Sequence, residues 1–247
     1  MSGRAYPGRM IRFLSLNAFI GALTIILCLW GRLISFFDRD GHWIHRYAAV
    51  PWAKAILYVC GVKLRVRGFE NLDQAKPRIY ICNHQSYFDI LTLLAGLPVN
   101  FKFILKKELM NIPILGPTLG KVGYISIDRS DIRAAAKSIH HAVEKIKNGM
   151  SVLIFPEGTR SKDGRVQSFK KGGFHLALRS GSDIVPIAIS GSRNIVPKGS
   201  LRIKKGAITM SIGIPISVKD YSKSEIDSLI ARSRDAIIYQ IKEADGK

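Results

Sequence analysis

Short apolar runs rich in Val, Ile and aromatic residues recur through the second part of this chain. They lie at residues 78–83 (RIYICN), 101–105 (FKFIL), 124–128 (YISID), 151–155 (SVLIF) and 184–189 (IVPIAI), and each reads as a strand. GVKLRVRGFENL, from residue 61, reads as a further strand and a turn. Between the runs the period changes. In SDIRAAAKSIHHAVEKIKNG the apolar positions Ile132, Ala136, Ile139, Val143 and Ile146 form one helical stripe, with Ser130 placed to cap its start and Gly149 to end it. GGFHLALRSG predicts a short helix. YSKSEIDSLIARSRDAIIYQIKEA predicts a C-terminal one, entered through a capping box of Ser222 and Glu225. Alternation of this kind predicts an α/β domain, a largely parallel sheet covered by helices, with its sites at the carboxyl ends of strands.

The first 60 residues follow another pattern. From Phe13 to Gly31 no residue is charged, and Arg12 and Arg32 bracket the run. As a helix these 19 residues reach about 28 Å, just short of a bilayer core of about 30 Å. The bulky GRLISFF that follows does not suit a cleaved signal peptide, and a buried core helix is the other alternative for the run. DRDGH then reads as a turn, and residues 42–60 (HWIHRYAAVPWAKAILYVC) combine Trp and Tyr with Arg46 and Lys54, which suits an interfacial helix with snorkelling cations. Basic residues flank the apolar run on both sides, so a simple span would leave one basic flank outside. The expectation is an N-terminal apolar two-helix membrane anchor over residues 1–60, monotopic on the cytosolic face of the cell membrane, ahead of a catalytic domain at 61–247. A single-span anchor is the competing arrangement.

Charge narrows the partners. Thirty-eight Lys and Arg against 18 Asp and Glu give a net charge of +20, spread along the chain, which calls for a polyanion: nucleic acid, an anionic membrane surface or a phosphorylated substrate. The apolar N-terminus argues against nucleic acid, and GPTLGKV has neither the spacing nor the Ser or Thr of a P-loop. Cys28, Cys60 and Cys82 stand singly, which leaves no disulfide framework or CxxC metal pattern and suits a reducing compartment. His42 and His45 read as interfacial aromatics, and His140 and His141 as exposed helix residues.

Two segments hold chemistry that packing does not require. In NHQSYFDIL, residues 83–91, His84 and Asp89 lie five apart; on one continuous helix they would point about 140° away from each other. If the strand ends near Cys82 and a helix begins with Ser86 as its cap, Asp89 falls at the third helical position and the loop can fold His84 back over the helix start. Asp89 would then hold one imidazole nitrogen as a donor and leave the other free to take a proton. The plainer alternative is a helix cap beside an ordinary loop histidine. No serine or cysteine is presented as a nucleophile, so a substrate hydroxyl would have to serve. In SVLIFPEGTRS a strand runs directly into Glu157, Gly158, Thr159 and Arg160. Arg160 offers a fork suited to phosphate, and Glu157 can orient it or bond a substrate hydroxyl; taken alone, the motif reads more simply as a surface turn with a local ion pair.

Together NHQSYFD and FPEGTRS resemble the first and third blocks of the glycerolipid acyltransferases, most closely the lysophosphatidic acid acyltransferases. GYISIDR (123–129) is similar to the second block and IVPIAIS (184–190) to the fourth, so the likeness spans about residues 78–190. The resemblance implies transfer of a fatty acyl group from acyl-CoA or acyl-carrier protein to the free hydroxyl of 1-acylglycerol 3-phosphate, forming phosphatidic acid. It implies His84 as general base, Asp89 as its orienter, and Arg160 with Arg129 as phosphate binders. Glu157, Gly158 and Thr159 would shape the acceptor pocket, and a lysine after FKFIL, Lys106 or Lys107, would join them. Because a thioester is already activated, no metal or other cofactor is expected. A sister enzyme acting on glycerol 3-phosphate or another lysophospholipid is the alternative.

Overall fold

The computed structural model describes residues 7–128 and 131–246. Seven strands form one sheet: β1 (Val62–Arg67), β2 (Ile79–Cys82), β3 (Phe101–Lys106), β4 (Ile125–Ile127), β5 (Ser151–Ile154), β6 (Ile184–Ser190) and β7 (Gly206–Ile212). Their spatial order is β1-β7-β6-β2-β5-β3-β4, and every pairing is parallel except β6 with β7. The expected α/β architecture is therefore present, with β7 an element the apolar runs did not disclose.

The central strands read as unbroken apolar runs because both faces of the sheet are covered. Along β2, Tyr80 and Cys82 enter one core while Ile79 and Ile81 enter the other; β5 divides likewise between Leu153 and the pair Val152 and Ile154. The first core is closed by α3 (Val50–Cys60) and α4 (Phe88–Gly96), through Ala53, Ile56, Leu57, Phe88 and Leu93. The second is closed by α6 (Ile132–Lys147), α7 (Gly172–Ser180) and α9 (Ile226–Asp245), through Val143, Ile146, Phe174, Leu176 and Leu229.

Several local expectations need adjustment. Ser130 lies outside the described residues, and the N-cap of α6 is Asp131, whose carboxylate accepts from the N–H groups of Arg133 at 2.8 Å and Ala134 at 3.1 Å. The buried stripe of α6 runs through Ala142, Val143 and Ile146, in the C-terminal half of the helix, whereas Ala136 is exposed. The Ser222–Glu225 capping box forms as expected.

The N-terminal region is helical in two stretches. α1 (Pro7–Ile34) is 28 residues long, and its 25-residue stretch Met10–Ile34, with mean hydropathy 2.1 in its most apolar window, is long and apolar enough to cross a membrane. Only 11% of that window is buried within the chain. The second stretch comprises α2 (His42–Ile44), a π-turn at His45–Ala49, and α3. Its Trp43, Tyr47 and Tyr58 are exposed while Ala53, Ile56, Leu57 and Cys60 are buried in the first core. Trp52 donates from Nε1 to Thr24 Oγ1 at 2.9 Å, tying α3 to α1.

Candidate active site

β2, β5 and β3 are neighbours in the sheet and run parallel, so the segments leaving their carboxyl ends converge. Asn83 makes the exit from β2 orderly. Its amide donates to Ile189 O and accepts from Ile189 N, both at 2.8 Å, so a side chain continues the pairing with β6 while the backbone turns away.

That turn folds His84 back over the start of α4, and His84 Nδ1 lies 2.8 Å from Asp89 Oδ2. The same oxygen accepts from the N–H groups of Gln85 at 2.7 Å and Ser86 at 2.8 Å. With Oδ2 already accepting from two backbone N–H groups, the tautomer that completes the set donates from Nδ1 and carries its free lone pair on Nε2. Only half of the expected capping box forms: Asp89 reaches back to Ser86 N, but Ser86 Oγ accepts from Phe88 N at 3.2 Å and donates to Val196 O at 2.7 Å, and the N-cap of α4 is Tyr87, whose side chain makes no capping bond. Asp89 is fully buried, whereas the His84 side chain is 15% exposed. The ring stacks on Phe155, centroids 3.9 Å apart, which leaves it little freedom to rotate.

Glu157 joins the two motifs through main chain. Its Oε1 accepts from His84 N at 2.7 Å and its Oε2 from Gln167 N at 3.0 Å. Ser161 N returns a bond to His84 O at 2.7 Å. Burial raises the carboxyl group's pKa, partly offset by these two backbone donors. Among the described residues its hydrogen bonds do not reach Arg160, so orientation of Arg160 by Glu157 is not what the geometry displays. Gly158 has φ 75°, a left-handed conformation that a side chain would strain, and it swings the chain toward Thr159 and Arg160.

Arg160 lies flat on an aromatic platform that the sequence did not reveal, its Cζ 3.6 Å from the Tyr87 ring centroid. Its Nη1 is buried and has no hydrogen-bond partner among the described residues. Lys198, also unforeseen, donates to Thr159 Oγ1 at 3.2 Å and Arg160 O at 2.6 Å, pinning this turn from the loop after α8 (Ser192–Ile195). Of the two lysines after β3, Lys106 faces the same cavity as His84, while Lys107 pairs with Asp128 at 3.1 Å. Arg129 lies outside the described residues.

The cavity beside His84 has a volume of about 680 Å³. Tyr87, Gly158, Thr159 and Arg160 line it together with a mainly apolar set that includes Cys28 of α1, Trp52, Phe103, Leu105 and Leu119. A hydroxyl held at His84 would have a proton acceptor on Nε2, an unspent guanidinium donor nearby, and apolar space for a chain. Among the described residues, no three His, Cys, Asp or Glu side chains converge as metal ligands do.

Comparison with known proteins bears on what such a site does. The acyltransferase family model matches residues 63–190. The chain is 38% identical over 217 residues to the 1-acyl-sn-glycerol-3-phosphate acyltransferase LPAT1, chloroplastic, of Arabidopsis thaliana, covering 86% of this chain and 60% of that protein. It is 37% identical over 220 residues to BAT2, chloroplastic, of Brassica napus, an enzyme of the same name, covering 87% and 63%. The chain thus spans about three-fifths of the length of those plant relatives. The 1-acyl-sn-glycerol-3-phosphate acyltransferase of Saccharomyces cerevisiae is 32% identical over 229 residues, covering 91% of this chain and 73% of that protein. The crystal structure of the 1-acyl-sn-glycerophosphate (LPA) acyltransferase PlsC from Thermotoga maritima superimposes with a TM-score of 0.82 at 28% identity, covering 97% of this chain and 98% of that one.

Proposed function

This chain belongs to the acyltransferase family, and on that premise we propose that it transfers a fatty acyl group from an acyl thioester to the free hydroxyl of 1-acylglycerol 3-phosphate, forming phosphatidic acid. The observation that carries this reading is the His84–Asp89 pair, 2.8 Å apart, at a cavity it shares with Arg160.

A glycerol hydroxyl is a weak nucleophile at neutral pH, and a positioned base contributes about 10² to 10⁴ in rate. His84 Nε2 takes the hydroxyl proton as the oxygen attacks the thioester carbonyl. Asp89 stabilises the imidazolium that forms. The tetrahedral intermediate then expels the thiolate by breaking its C–S bond, and the imidazolium returns the proton to sulfur, leaving ester and free thiol. Arg160, held on Tyr87 with a free donor, takes the acceptor's phosphate. The apolar lining from Cys28 through Leu105 and Leu119 takes an acyl chain. The chemistry we assign needs no cofactor beyond acyl-CoA or acyl-carrier protein as co-substrate.

Acceptor and product both carry acyl chains, so the enzyme must meet them at a membrane. Residues 1–60 supply the anchor in this reading and residues 61–247 the chemistry, although α3 also packs into the catalytic core. The exposed apolar side of α1 and the neighbouring Phe36 and Phe37 enter the cytosolic leaflet, with Trp43 and Tyr47 at the headgroup level. Protease digestion of a tag ahead of Arg4 in sealed inverted vesicles tests this monotopic arrangement, and protection of the tag would replace it with a single span.

The activity is tested by thiol release from palmitoyl-CoA in detergent micelles with lysophosphatidic acid, glycerol 3-phosphate and lysophosphatidylcholine as acceptors. Release with lysophosphatidic acid alone, lost in His84→Ala, is the expected result. Equal release with the other acceptors would move the assignment to a sister acyltransferase.

A further inference from the structure

A second cavity, of about 1200 Å³, opens at the opposite end of the strands, where β2, β3 and β5 begin. It is walled by segments from residues 39–54, 73–77, 94–102, 120–123 and 145–151. Four residues of β2 rise about 13 Å, so a ligand seated here does not reach His84.

The lining is cationic, with seven Lys or Arg side chains against two carboxylates. One of those carboxylates, Asp73, is already 3.4 Å from Arg78. A concave surface of one sign concentrates counter-ions. At its base Lys102 is 2% exposed. Its ammonium donates to Gly41 O at 2.9 Å, and among the described residues it forms no ion pair, which leaves two N–H donors unspent. Burial holds its pKa down at about 8, and the charges of Asp38 and Asp40 nearby offset only part of that cost.

Two further buried atoms on the same lining have no hydrogen-bond partner among the described residues, His45 Nδ1 and Asn100 Oδ1. His45, read from the sequence as an interfacial aromatic, is instead buried edge-on against Phe101. Burial and Lys102 hold it down at about 4, so the ring is neutral and can donate from Nδ1. Asn100 spends its Nδ2 on His42 Nδ1 at 2.8 Å and keeps its carbonyl oxygen for a donor.

These groups are complementary to a particular ligand chemistry. Unspent cationic and imidazole donors call for an oxyanion, and an unspent amide oxygen beside them calls for a hydroxyl. We infer that this cavity binds a hydroxyl-bearing organic phosphate, its oxyanion on Lys102 and His45 with Arg46, Lys54 and Lys145 around it, and its hydroxyl on Asn100 Oδ1. A soluble glycerophosphate and a phosphatidylglycerol headgroup both have this chemistry. The exposed Trp43 and Tyr47 lie on the stretch that carries Arg46, so the rim is within reach of a lipid surface as well as of solvent.

Calorimetric titration of the full chain in dodecyl maltoside, with glycerol 3-phosphate and separately with dihexanoylphosphatidylglycerol, tests the site. Saturable binding of at least one probe is expected that survives Arg160→Gln but weakens at least tenfold in Lys102→Met and in the double variant Arg46→Gln, Lys145→Gln. Binding of glycerol 3-phosphate assigns a soluble ligand; binding of the lipid alone assigns a headgroup. The double variant changes rim side chains only, so it decides the matter if Lys102→Met fails to fold. No saturable binding in the Arg160→Gln protein, or binding indifferent to the double variant, overturns the site.

Discussion

His84 Nδ1 and Asp89 Oδ2 meet at 2.8 Å although they stand five residues apart, because β2 ends between a side chain that continues its pairing and a helix that begins at once. Asp89 Oδ1 has no hydrogen-bond partner among the described residues. In Asp89→Asn the amide nitrogen can take that empty side while the carbonyl oxygen keeps the three donors. The substitution removes the charge and little of the geometry. In the thiol-release assay we expect kcat to fall about 10² to 10³-fold with the acceptor KM within a factor of three, and His84→Ala to fall at least as far. Near-wild-type turnover in either variant would end the base assignment.

Glu157 is buried and accepts backbone N–H groups from both His84 and Gln167, and we propose that it serves as a brace between two motifs. Gln in its place has one acceptor oxygen for two backbone N–H groups, so one buried donor loses its partner, at about 1 to 3 kcal/mol. Glu157→Gln should therefore lower the unfolding midpoint in guanidinium, and what activity remains should show an ordinary acceptor KM. A raised KM with unchanged stability would return Glu157 to the acceptor pocket.

Arg160 lies on Tyr87 with Nη1 unspent, poised for a phosphate oxygen. Losing a charge-assisted hydrogen bond costs about 1.5 to 3 kcal/mol, or roughly 10 to 100-fold in affinity. We expect Arg160→Gln to raise the KM for lysophosphatidic acid by that factor and to leave kcat within about fivefold. Lysine should restore only part, because it lacks the planar fork. A fall in kcat with KM unmoved would exclude a ground-state phosphate contact.

The chemistry of these motifs was readable from the sequence where it depended on local spacing. Asp89 lies in the first turn of α4 and its carboxylate reaches back to the N–H groups of Gln85 and Ser86, a local geometry that brings it to His84 even though the cap itself falls at Tyr87 rather than Ser86. Strands β2, β5 and β6 were legible because burial on both faces leaves an unbroken apolar run. β7 was not, since it follows a lysine-rich stretch and buries Ile208, Met210 and Ile212 while Thr209 and Ser211 are only half-buried. That period-two alternation was the available signal. Contacts made across long separations left no trace in any local pattern: Glu157 on the His84 backbone, Arg160 on Tyr87, Lys198 on Thr159. The same holds for His45, whose burial follows from the packing of the π-turn against Phe101.

Cys28 brings α1 into the lining of the cavity that also holds His84, so the anchor helix contributes to the space assigned to an acyl chain. Each methylene excluded from an apolar site costs about 0.8 kcal/mol, close to fourfold in specificity. Cys28→Phe should therefore lower the ratio of kcat/KM for palmitoyl-CoA over lauroyl-CoA by at least tenfold, with the lauroyl rate largely kept. Equal losses for both donors would mean that the acyl chain lies elsewhere.

Lys102 makes the stability of this protein depend on alkaline pH in a direction opposite to that of a salt-bridged lysine. Its pKa falls from 10.5 to about 8 because burial penalises the charged form, with nearby Asp38 offsetting only part of the cost. Below pH 8 the ammonium is charged in folded and unfolded chains alike, and the desolvation penalty is fully present. Between about pH 8 and 10.5 the unfolded chain binds more protons than the folded one, so stability rises with pH. The displacement corresponds to roughly 3 kcal/mol. Lys102→Met has no such penalty to relieve. Guanidinium unfolding in dodecyl maltoside should therefore find the variant's advantage over wild type shrinking by about 2 to 3 kcal/mol between pH 7 and pH 10.5. A constant difference across that range would show that the ammonium is solvated in the folded state.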